Sequence, residues 1–175
     1  YKLSMAPINV IILIVAFNNF LLGSIIYIHS QRKASENLFA LIAFSTTLWC
    51  VGTFLMTTHG VSYALYVLGA MLHYIFGNLI FLLLFWFAHY FPKPLPHFPI
   101  IPSIATLLDI LFYLAIMFTP FLFVDFIYQP EHASYIIFNT KGYIAYALFI
   151  LALFITAELT LAHNYRLQIG TTRTH

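Results

Sequence analysis

SYALYVLGAMLHYIFGNLIFLLLFWFAHYF, residues 62–91, runs for 30 residues without a Lys, Arg, Asp or Glu. A helix rising 1.5 Å per residue needs about 20 residues to cross a hydrocarbon core of about 30 Å, so this stretch alone is long enough to span a bilayer. It is too long for a strand, and it lacks the alternating apolar–polar dyad of a membrane barrel. A helix pairs every backbone N–H and C=O within itself, which lipid cannot do for it. The stretch reads as a membrane-spanning helix.

Four more runs of the same kind flank it, at about 7–29, 37–58, 99–127 and 142–163. Pro7 falls in the first turn of its run, where a missing N–H does no harm. The fold class expected is an all-α, polytopic membrane helix bundle with five spanning helices and no soluble domain. Composition agrees. Hydrophobic residues make up 62% of the 175 and charged residues 7%, against roughly 25% charged in a typical soluble domain. Lipid has to be the solvent for most side chains. The localisation expected is a cell membrane, inner or plasma, crossed several times.

Several function classes fall away on the same residues. A net charge of +2 without a basic patch gives no nucleic-acid footprint. The single cysteine, Cys50, excludes an internal disulfide framework and a Cys-based zinc site. No nucleophile elbow, phosphate loop, HExxH or paired carboxylates at defined spacing occurs, so no enzymatic activity, metal site or cofactor is expected of this stretch. The chain opens on Tyr1 rather than Met and stops at His175 just after a polar, basic stretch. It is expected to be a piece of a longer protein.

Orientation follows from the connecting segments. With the N-terminus outside, Arg32, Lys33, Lys93, Arg166 and Arg173 fall on the cytoplasmic side and Lys2 and Lys141 on the outer side. Five against two favours N-out and C-in. The turn at 92–99 packs four prolines around Lys93, and no regular helix survives that density. The longest loop, about 128–141, carries Pro130, Glu131, His132 and Asn139.

Polar residues inside the spans are the candidate sites. Asp109 lies roughly 13 Å below the cytoplasmic surface, where a carboxylate costs a few kcal/mol and should face the bundle or be protonated. On the same ruler Asn18 and Asn19 come at roughly 15 Å, Ser45 at roughly 12 Å, Thr156 at about 10 Å and Asn78 near 20 Å. Five helices thus offer polar groups to one layer. Interhelical glue worth around 1 kcal/mol per hydrogen bond explains such a layer, and so does a proton- or ligand-sensitive network. His73 lies between Gly69 and Gly77 on one helical face, which suits a packed, hydrogen-bonded histidine against a close neighbour. Haem ligation is the sharper alternative, but no second core histidine lies at matching depth. Glu158 is followed by His163 at i+5, a poor helical neighbour, so it reaches either the interface or another helix's His29 or His89.

The stretch Glu36-Asn37-Leu38-Phe39-Ala40-Leu41, followed by Leu48-Trp49 and Gly52, carries a resemblance. It resembles the start of the second helix in the N-terminal seven-helix membrane region of bacterial sensor histidine kinases, also found on diguanylate cyclases. The aromatic, proline-bounded segment from Phe87 to Pro96 fits that region, as do Gly142-Tyr143-Ile144-Ala145-Tyr146. The tail Asn164-Tyr165-Arg166, with Gly170 and Arg173, resembles the basic turn before the family's sixth helix. The resemblance implies a sensory input domain, cut short after five helices, that passes a stimulus by helix repacking to a cytoplasmic output module. The resemblance also implies a two-component system for the whole protein, with any histidine kinase activity lying outside this stretch. The partners implied are the lipid bilayer, the downstream output domain and a second copy in a homodimer. A small transporter or channel is the alternative from another class, and a haem- or quinone-binding redox subunit is a third.

Overall fold

The computed structural model describes residues 7–30, 33–91, 100–129 and 134–172, the last six as backbone alone. Five helices and one hairpin follow one another: α1 (Pro7–His29), α2 (Ala34–Thr57), α3 (Tyr63–Tyr90), α4 (Ile100–Phe118), β1 (Phe123–Ile127), β2 (Tyr135–Phe138) and α5 (Thr140–Thr172). All five helices are long and apolar enough to cross a membrane. Their outer faces leave large apolar side chains uncovered, Phe118 by 76% and Ile28 by 74%. So much bare apolar surface is untenable in water and suits lipid. The chain has the architecture of a multi-pass membrane protein.

Helix α3 is the centre of the bundle, packing against α2, α5 and α4, while α1 packs on α2. Small residues set the approach. A Cβ on Gly52 of α2 would lie 2.6 Å from His73 N and 2.7 Å from Gly69 O, so the α2 and α3 backbones touch there. Between α3 and α5 the core is Leu82, Phe85 and Ala88 against Leu153 and Ala157, with Ala105 of α4 at its edge. Polar ties cross the same seams. Thr57 Oγ1 donates to Asn9 Oδ1 at 2.8 Å between α2 and α1. Asn164 Nδ2 donates to Ala88 O at 2.7 Å between α5 and α3, and Trp86 Nε1 to Thr106 Oγ1 at 2.9 Å between α3 and α4.

The fourth span is shorter than the sequence reading had it. Helix α4 stops at Phe118 rather than continuing to 127, because Pro120 cannot donate to the helical ladder. The chain then forms an antiparallel hairpin pairing Phe123 with Phe138 and Asp125 with Ile137, with a bulge between Phe123 and Asp125. The hairpin is not a solvated loop. Leu122 and Phe123 are buried with Ile116 and Tyr146 in a second core. Asn139 caps α5, its Oδ1 accepting from Lys141 N at 3.2 Å and Gly142 N at 3.3 Å. The proline-rich turn 92–99, and Lys2, Arg32, Lys93, Glu131, His132 and Arg173, lie outside the described residues.

Candidate functional site

The single polar layer expected from depth does not assemble. Depth along a helix says nothing about rotation around it, and several members turn away. Asn18 is exposed on α1. Asn19 Nδ2 donates to Val15 O of its own helix at 2.9 Å. Thr156 is exposed and bonds back to Ala152 O and Leu153 O. Ser45 is buried on α2. Glu158 is exposed on α5, and among the described residues the one ion pair is Lys33–Glu36 at 3.6 Å, far from it in sequence. His29 and His89 turn their Nδ1 atoms to Ile25 O and Phe85 O of their own helices, and neither forms an ion pair with Glu158 among the described residues.

Two members of the expected layer do meet. Asn78 of α3 and Asp109 of α4 are both fully buried, and Asn78 Nδ2 donates to Asp109 Oδ1. Tyr113, one turn along α4, places its hydroxyl in the same enclosed space. Sequence reading missed Tyr113, although its i+4 spacing from Asp109 was a usable signal.

His73 builds the second constellation. Its Nδ1 lies 2.8 Å from Thr53 Oγ1 on α2. Its ring rests 5.4 Å from Trp49 and 5.0 Å from Tyr74, centroid to centroid. Thr53 Oγ1 also lies 2.9 Å from Trp49 O, four residues back. A hydroxyl has one proton to give. When Thr53 gives it to its own helix, as Thr46 and Thr106 do, His73 Nδ1 must be the donor. Nε2 is then left with a free lone pair.

That ring lines a cavity of about 400 Å³ walled by Trp49, Tyr74, Gly77, Tyr146 and Ile150. A wider groove of about 620 Å³ along α5 shares Tyr74, Phe81, Tyr146 and Ile150 with it. Together they form an aromatic recess between α2, α3 and α5 that opens at the bundle surface. Tyr146 fixes its floor by donating to Tyr74 O at 2.7 Å. The recess is not legible in the sequence because its walls come from three separate helices, α5 being far from α2 and α3 in the chain. The Trp49–Thr53 pair at i,i+4 was the one local hint. Among the described residues no group of three His, Cys, Asp or Glu side chains is placed to hold a metal ion.

Comparisons with protein-family models, with curated proteins and with solved structures return no match for this chain.

Proposed function

We propose that the chain is a membrane-embedded input domain of a signalling protein, N-terminus outside, passing a stimulus by helix repacking to a cytoplasmic output module. The observation that carries the reading is the place of α5. It walls the aromatic recess through Tyr146 and Ile150, and it runs unbroken from Thr140 to Thr172. At 1.5 Å per residue that is about 50 Å of stiff helix, longer than a hydrocarbon core. A molecule seated beside Tyr146 bears on one end of a rod that passes Asn164, where it is tied to α3 through Ala88 O, and runs on to Thr172.

The recess suits a small lipid-soluble molecule with one hydroxyl or N–H donor. Aromatic walls bury its body, and His73 Nε2 accepts its single polar group. Such a ligand shifts packing only if it binds one arrangement of α3 and α5 better than the other. Determining the reading frame beyond His175 tests the proposal. Two further apolar spans followed by a signalling module are expected, and a stop codon shortly after His175 overturns it.

A further inference from the structure

The contact between Asn78 and Asp109 leaves an imbalance. One amide N–H goes to Asp109 Oδ1. Among the described residues Asn78 Oδ1 and Asp109 Oδ2 are enclosed with no well-formed hydrogen bond, and Tyr113 Oη, enclosed beside them, is close enough to act on the Asp109 carboxyl but leaves Asn78 Oδ1 without a donor. An ionised carboxylate only accepts. It therefore cannot serve Asn78 Oδ1, and its own charge needs a counter-ion at this depth. None is at hand. The groups that act on Asp109 are Tyr113 from its own helix, Asn78 from α3 and Tyr146 from α5. Every Lys and Arg of the chain lies near the ends of the spans or between them.

We infer that Asp109 is held as a neutral carboxylic acid paired with the Asn78 amide, making the α3–α4 seam a buried proton-binding site. A proton on Oδ2 turns the carboxyl into a donor. Amide and acid then pair in a two-bond ring, N–H to one oxygen and O–H to the other, and both orphaned oxygens are satisfied at once. Losing the proton leaves two acceptors and an uncompensated charge in the seam. Because α4 packs mainly on α3, that loss favours parting of the two helices and entry of water. The site stands whether or not the chain signals.

Infrared spectroscopy of the full chain in lipid vesicles at neutral pH tests this. A protonated-carboxyl C=O band is expected in the wild type, shifted by isotope-labelled aspartate and absent in Asp109→Asn. Glu158→Gln is expected to leave it in place. Asn78→Leu should move it to higher frequency, since the acid carbonyl loses its amide donor. Absence of the band in the wild type means an ionised, water-bridged Asp109 and overturns the inference. A band that ignores aspartate labelling, or vanishes in Glu158→Gln, assigns the proton to a glutamate and overturns it as well. The labelling arm needs no variant to fold.

Discussion

A methyl group on Gly142 would meet Phe121 O at 1.7 Å, and both partners are backbone. Neither the first turn of α5 nor the residue leading into the hairpin can give way cheaply. Gly142→Ala is expected to cost about 3 kcal/mol or more, at the upper end of overpacking effects, read as a lower unfolding midpoint in detergent. Gly77→Ala makes the contrast. Its added Cβ would lie 3.2 Å from the Trp49 ring edge, a side chain that can shift, so stability should fall by under about 1.5 kcal/mol while the recess reshapes. At Asp109 two substitutions separate shape from charge. Asp109→Asn keeps a donor and an acceptor facing Asn78, so the bundle should hold. Asp109→Leu strands a buried amide, at about 1–3 kcal/mol. Equal stability of the two variants in a thermal melt would show that the pairing contributes nothing.

Among the elements, the five helices were legible because a long apolar run in this composition has one physical solution. The hairpin was not. Residues 121–127, Phe-Leu-Phe-Val-Asp-Phe-Ile, carry the apolar run of α4 on past Thr119 and Pro120, and length and hydropathy cannot tell such a strand from more helix. Only Pro120 and the density of aromatic and β-branched residues mark the change. Legibility of the site failed differently. Asn78 and Asp109 were picked out by depth and do meet, whereas Asn18 and Thr156 have suitable depth and the wrong azimuth. Recovering azimuth from sequence requires knowing which face of each helix is covered, and helices apolar all round conceal it. Orientation can be measured on exposed positions. With native Cys50 buried and quiet, a membrane-impermeant thiol reagent should label His59→Cys from outside and leave Lys33→Cys untouched. The reverse pattern would invert the proposed topology.

For the molecule as a whole, the Asn78–Asp109 contact bears on biosynthesis. Helix α4 is the shortest of the five at 19 residues, and it carries an acid near its middle. An Asp at the centre of a lone helix opposes release into the bilayer by about 2.5–3.5 kcal/mol. The chain emerges from the ribosome with α3 before α4, so Asn78 is already in place when Asp109 reaches the translocon. The earlier helix can act as a built-in chaperone for the later one. Insertion of α4 should therefore fall when Asn78 is changed to Leu, and recover when Asp109→Leu is added. Glycosylation mapping with an acceptor site in the hairpin would read both. If α4 inserts equally well without Asn78, the two residues meet only after release, and their pairing belongs to the finished bundle alone.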